Sequence, residues 1–199
     1  MNVLSERGGR TRARIVEAAR ELFHSNGVRA TSIDQILEAS GTGKSQFYHY
    51  FGSKEDIVHE VLRFYLEIIQ SGRAPVNVNI ESWNDLERFF YDHIDGIRVF
   101  DCRRSCPIGS IGNELASDNE DIRRDVKLVF DYMRDKIALF FENMKAEGEI
   151  KKTSDPESMA DFCIATVQGA LLLAKVNRDS NAAENAVAHA VQYLKSYSE

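Results

Sequence analysis

Gly41-Thr42-Gly43-Lys44-Ser45-Gln46-Phe47-Tyr48-His49-Tyr50-Phe51-Gly52-Ser53-Lys54-Glu55-Asp56 is the stretch on which the fold is decided. Two glycines flanking a single threonine break the chain, and a short helix is expected over 44–49. On it Phe47, Tyr50 and Phe51 take an inner side, while Lys44, Gln46 and Tyr48 point elsewhere. Ser53, followed by Glu55 and Asp56 in a first helical turn, caps a longer helix, because carboxylates there meet the positive end of the helix dipole. The stripe of that helix is Ile57, Val61, Leu62, Tyr65 and Ile68, and Gly72 ends it.

Upstream, Ser32 with Gln35 three residues on forms a capping box that opens another short helix, with Ile33, Ile36 and Leu37 on its apolar face. Before it, Ile15, Ala18, Ala19, Leu22 and Phe23 recur at helical spacing over 11–26, and Gly27 supplies a left-handed stop. Two short helices joined by a glycine turn inside a three-helix unit make a helix-turn-helix, whose second helix enters the major groove of DNA. Short helix pairs also occur in all-α proteins without DNA, so geometry alone leaves both readings open.

Downstream, residues 73–80, with Pro75 and several asparagines, read as a linker. A helix follows over 82–100, and Pro107 suits the first position of a short one. Ile122, Val126, Val129, Met133, Ile137, Phe140 and Met144 mark a long amphipathic helix that stops at Gly148. Asp155 and Pro156 start the next, as cap and first residue, and a last helix runs from about 181. The class is therefore all-α. About nine helices are expected: an N-terminal three-helix helix-turn-helix domain, 1–54, and a larger helical domain, 55–199.

With 43% hydrophobic residues in 199, the chain can bury a proper core, and three prolines suit helices nearly throughout. The net charge of −6 hides an asymmetry: residues 1–54 hold 8 Lys/Arg against 5 Asp/Glu, and the remainder 17 against 26. A basic head on an acidic body suits a small DNA-reading domain, since phosphates attract the one and repel the other. No run of 18 apolar residues and no signal-peptide core occur, so a cytoplasmic protein with no membrane partner is expected, its three cysteines as thiols. No metal-ligand cluster or cofactor motif stands out.

Ile15-Val16-Glu17-Ala18-Ala19 through Leu22-Phe23, Gly27, Thr31-Ser32-Ile33, Ile36 and the opening stretch resemble the N-terminal domain of the TetR family of transcriptional regulators, over about residues 10–60. The resemblance implies a homodimeric repressor on a palindromic double-stranded operator, released by a small-molecule effector. It implies DNA contacts from Thr31, Thr42, Gly43, Lys44, Ser45, Gln46, Tyr48, His49 and Lys54. Gln46 can pair bidentately with adenine and Lys44 with guanine or phosphate, while Tyr48 and Lys54 match the family's phosphate-binding tyrosine and lysine. Thr42, Gly43 and Ser45 depart from the commonest family pattern, and Gly43 cannot cap a helix with a side chain. The rest of the chain would bind effector and dimerise. Expected pocket residues are Phe64, Tyr65, Ile68, Phe100, Cys106, Ile108, Met133, Ile137, Phe140, Gln168 and Leu171. Two subunits would pair through the last two helices, where Ala165, Gly169, Ala170, Ala183, Ala186 and Ala190 allow close approach.

Cys102-Arg103-Arg104-Ser105-Cys106-Pro107-Ile108-Gly109, with Asn113-Glu114-Leu115-Ala116, is similar to a segment in a subgroup of these regulators. A thiol at a helix start beside two arginines is biased towards thiolate, which makes Cys106 a candidate sensor of electrophiles; the alternative is that it caps and packs. Cys163 falls on an apolar helix face and reads as inert. Two other functions stand against the repressor: an architectural DNA binder without effector, and a cysteine-dependent enzyme using Cys106 with His93. The enzyme reading lacks an ordered triad, a phosphate loop and a metal cluster.

Overall fold

The computed structural model describes residues 3–198, with side chains from Gly8 onward. Among these residues are nine helices: α1 (Val3–Asn26), α2 (Ile33–Ser40), α3 (Lys44–Tyr50), α4 (Lys54–Gln70), α5 (Trp83–Arg98), α6 (Pro107–Leu115), α7 (Glu120–Glu147), α8 (Pro156–Asn177) and α9 (Asn181–Lys195). No strand is found among them, only an isolated antiparallel bridge between Ile150 and Ser198. The all-α expectation holds. The one displaced boundary of consequence is the start of α1, which lies at Val3 rather than near residue 11. Gly8 and Gly9, poor helix formers, concealed those first turns.

The caps follow the local chemistry. Ser32 Oγ accepts from the Gln35 amide at 3.2 Å and Gln35 Oε1 from the Ser32 amide at 2.7 Å, so the capping box closes in both directions. Gly41 ends α2 at φ 61°. Asp155 caps α8 with Pro156 in the first turn, and Pro107 opens α6. At α3 only half of such a box is present: Gln46 Oε1 accepts from the Gly43 amide at 3.2 Å, while Gly43 gives the first-turn amides no side-chain cap.

Two compact units emerge. The first comprises residues 1–66 with 107–126, so α6 folds with the three N-terminal helices; the second comprises 67–106 with 127–199. In the first, α1 packs against α2, α3 and α6. Its core is Ile15, Ala19, Phe23, Ile36, Phe47, Ile57 and Leu62. His59 Nδ1 lies 2.6 Å from Asp125 Oδ2, which ties α4 to the first turns of α7. In the second, α8 packs along α9 and α5 rests on both. Trp83 meets Phe140 edge-on, with ring centroids 5.8 Å apart, and Phe89, Phe90 and Phe141 are fully buried.

Candidate nucleic-acid interface

α3 has seven residues, of which Phe47 is buried at 0% exposure and Tyr50 is half-buried. Lys44, Ser45, Gln46, Tyr48 and His49 are all exposed, Tyr48 at 56%. The helix is thus a polar ridge pinned by one phenylalanine. Phe47 packs edge-on to Tyr48 and against Phe51, at centroid distances of 5.2 and 5.6 Å, and Arg12 lies 5.7 Å above the Phe51 ring. Loss of that pin would leave the ridge without a seat, because Phe47 is the buried residue of α3.

The turn ahead of α3 is held by a residue that sequence reading counted only as charge. Arg14, on α1, donates from Nε to the Ser40 carbonyl at 3.1 Å and from Nη2 to the Gly41 carbonyl at 2.9 Å, engaging the open carbonyls at the end of α2. Ser40 Oγ and Thr42 Oγ1 lie 2.7 Å apart and stiffen the same turn. Nothing in residue spacing signals that a flexible arginine 26 residues upstream reaches this point.

Of the expected DNA contacts, Lys44, Tyr48 and Lys54 share one depression, while Thr31 and Lys54 also have other tasks. Ser32, Ile33, Asp34, Lys44, Tyr48 and Lys54 line a depression of about 320 Å³, where the start of α2, the face of α3 and the start of α4 converge. Lys44 Nζ sits 3.1 Å from Asp34 Oδ1 in a highly exposed ion pair. Thr31, however, is buried at 1% exposure, its hydroxyl donating to the Gly27 carbonyl at 2.7 Å, so its side chain serves the turn. Lys54 Nζ donates to the Val28 and Thr31 carbonyls at 3.0 Å each, which makes it a clasp on that same turn.

The expected pocket residues divide between the units. Phe64, Tyr65 and Ile108 belong to the first; Ile68, Phe100, Cys106, Met133, Ile137, Phe140, Gln168 and Leu171 belong to the second. Tyr65, Cys106, Ile108, Met133, Ile137, Phe140 and Leu171 are buried and the others half-buried. Arg104 covers the ring of Phe100 at 4.2 Å. A cavity not foreseen from sequence, of about 270 Å³, lies under the 72–79 linker against Arg88 and Asp92. Cys102 and Cys106 are buried, at 5% and 7% exposure, and Asp101 and Cys102 adopt positive φ of 50° and 52°. Burial pushes the Cys163 thiol up to about 12, in keeping with an inert core residue. Burial also lowers the pKa of His93, whose Nδ1 lies 2.8 Å from the Phe89 carbonyl; this imidazole is engaged within its own helix.

Comparison with known proteins gives a consistent result. Residues 15–61 match the model of the bacterial regulatory proteins of the tetR family, and residues 83–190 match the tetracyclin repressor-like C-terminal domain. A helix-turn-helix transcriptional regulator of Lactococcus lactis subsp. lactis is 32% identical over 185 residues, covering 88% of each chain. The transcriptional repressor NemR of Escherichia coli is 26% identical over 191 residues, covering 90% of this chain and 91% of its own. Among solved structures, a TetR transcriptional regulator from Chloroflexus aurantiacus superposes with a TM-score of 0.82 at 25% identity, covering 97% and 98% of the two chains. The reduced form of NemR superposes at 0.77 and 21%, covering 95% and 97%.

Proposed function

Because the chain is a transcriptional regulator belonging to the tetR family of bacterial regulatory proteins, we propose that it is a cytoplasmic homodimeric repressor whose α3 reads a palindromic operator and whose body releases it on effector binding or thiol modification. The observation that carries this reading is the α3 ridge: five exposed polar side chains on a helix whose buried residue is an aromatic anchor. Gln46 and Lys44 present groove-reading chemistry, Tyr48 a phosphate donor, and Thr42, Ser45 and His49 further hydrogen-bonding groups. Thr31 and Lys54 hold the turn beneath them, with one Lys54 donor left for phosphate. The reading head is 1–54, and 55–199 senses and dimerises.

Pairing of two subunits is supported by the outer face of α8. By length and composition this helix could cross a bilayer, yet much of its apolar surface is exposed. Phe162, Ala165, Gly169, Leu172, Leu173 and Val176 are exposed along it at helical spacing. Ala170, Ala183 and Ala190 are buried and Ala186 half-buried, which suits close packing of α8 on α9 within one subunit and leaves Ala165 and Gly169 for the partner. A two-fold operator requires a two-fold protein, and this stripe is the apolar surface suited to make one.

For release, ligand or a Cys106 adduct favours a subunit arrangement whose recognition helices no longer match successive major grooves. Cys106 stands at the start of α6, and the similar repressor NemR has been solved in a form described as reduced. The test begins by selecting duplexes from a random pool, where half-sites about 34–36 Å apart are expected. Gln46→Ala relaxes preference at particular bases and Tyr48→Phe weakens all sequences alike. The selected duplex is then challenged with N-ethylmaleimide and with non-reactive small molecules, using wild type and Cys106→Ser. Loss of the first response alone in Cys106→Ser supports covalent sensing. Equal affinity for selected and random duplexes would refute the operator itself.

A further inference from the structure

We propose that Glu114 is a positioning residue through which α6 sets the geometry of the DNA-reading helices; the idea rests on the operator reading above. Glu114 lies in the last turn of α6 and reaches back 86 residues in sequence to the turn that joins α1 to α2. Its Oε1 accepts from the Val28 amide at 3.1 Å and its Oε2 from the Arg29 amide at 2.8 Å. Arg29 answers in the opposite direction, donating from Nε and Nη2 to the Glu114 main-chain carbonyl at 3.0 and 2.7 Å and pairing with Asp118. The carboxylate thus satisfies two amides that α1 has left behind, and the guanidinium satisfies a carbonyl at the open end of α6.

Gly27 makes the approach possible. A Cβ at that position would lie 2.5 Å from Glu114 Oε1, and φ there is +88°, in the left-handed region. Glycine is required twice over, by the backbone and by the incoming carboxylate. From the other side Lys54 clasps the Val28 and Thr31 carbonyls. The turn 27–31 is therefore held on its amides by a carboxylate from α6 and on its carbonyls by an ammonium from α4. One residue further on, Ser32 caps α2.

The arrangement transmits displacement because its reach is short. Hydrogen bonds near 3 Å weaken steeply when stretched, and helix shifts of about 1–2 Å are the ordinary currency of switching. α6 begins at Pro107, directly after Cys106 in the chain, so an event that moves the start of α6 arrives at its last turn through a rigid helix of nine residues. There the carboxylate either keeps both amides or loses them. In the second case the turn, and with it α2 and α3, is no longer fixed for the operator, and binding must supply the ordering that the clamp had supplied.

The test compares Glu114→Ala, Glu114→Gln and Asp118→Asn in the full-length protein, on a duplex selected by wild type and on a scrambled one. Measurements are made at a temperature where circular dichroism shows every variant folded. Glutamine offers one acceptor oxygen and sets a donor against the second amide, so both Glu114 variants should bind the selected duplex at least about fivefold more weakly. The scrambled duplex should be bound within about twofold of wild type, since no phosphate contact is lost. Asp118→Asn, which touches only an exposed ion pair, should stay near wild type on both. Hydrogen exchange over 27–31 should quicken in the Glu114 variants. Unchanged affinity for the selected duplex alongside lowered melting would reduce Glu114 to a stabilising contact and overturn the proposal, as would a parallel loss on both duplexes. If wild type selects no duplex, the operator reading falls and the clamp's function with it.

Discussion

Replacing Lys54 with methionine separates two tasks that one ammonium can perform. Methionine keeps most of the apolar stem and removes the charge. In the structure Nζ donates to the carbonyls of Val28 and Thr31, both at 3.0 Å, and the side chain is half-buried. Hydrogen bonds to a charged donor contribute about 1.5–3 kcal/mol each, but water can reach part of this site once the ammonium is gone, so about 2 kcal/mol is expected for the pair. At roughly 2–4 °C per kcal/mol for a protein of this size, the melting temperature should fall by about 4–8 °C. The third donor remains for a phosphate, and its loss should lower the slope of log affinity against log salt by about 0.9. Calorimetric melting and fluorescence anisotropy on the selected duplex between about 50 and 200 mM salt measure the two effects independently. A melting temperature unchanged within about one degree would refute the clasp. A fall in melting with an unchanged slope would leave Lys54 holding the turn and touching no phosphate.

Two further outcomes follow from burial. The folded-state pKa of Cys163, raised to about 12, lies above the unfolded value of ~8.5, so the unfolded chain releases this proton first; stability should decline by up to about 1.4 kcal/mol per pH unit from ~8.5 towards 12. Chemical denaturation at successive pH values, with Cys163→Ala as reference, checks this, and a pH-independent difference between the two proteins would refute it. Val176, at 68% exposure, is the most exposed of the large apolar side chains of α8. Val176→Glu should leave the subunit's fold within about 0.5 kcal/mol, as surface substitutions do, yet shift the dimer to monomer in sedimentation at micromolar concentration; a wild-type monomer, or a variant that remains dimeric, contradicts the α8 seam.

What was legible in the sequence is what local chemistry controls. Ser32 with Gln35, Gly41, Pro107 and Asp155 with Pro156 act on their immediate neighbours, and each ends or begins a helix where it should. Phe47 was legible as core because an aromatic on a short polar helix has only one direction to face. The start of α1 was not, since Gly8 and Gly9 oppose a helix that nonetheless continues through them. Nor were the groups that fix the head. Arg14, Lys54 and Glu114 engage backbone atoms 23 to 86 residues away, and a backbone carbonyl or amide leaves no mark on the sequence that would announce its partner. Cys106 illustrates the same limit from the other side: its helix-start position was legible, its burial at 7% exposure was not.

The basic head also changes meaning once its cations are traced. Arg12 pairs with Glu60, Arg20 with Glu17, Arg29 with Asp118 and Lys44 with Asp34, while Arg14, Arg29 and Lys54 engage carbonyls. The excess of positive charge over residues 1–54 is therefore largely committed to holding the helix-turn-helix together. On the operator reading proposed above, affinity for phosphate would come from exchange of partners, and the cost of exchange differs between sites. The Lys44–Asp34 pair is exposed on both sides and worth little, so a phosphate can displace Asp34 cheaply. Arg14 cannot turn outward without freeing two carbonyls at the end of α2. The salt slope on a selected duplex should accordingly count only a few phosphates, fewer than the head's eight basic residues. On the operator reading proposed above, discrimination among sequences would then rest mainly on the polar ridge of α3 and on how firmly the turn beneath it is held.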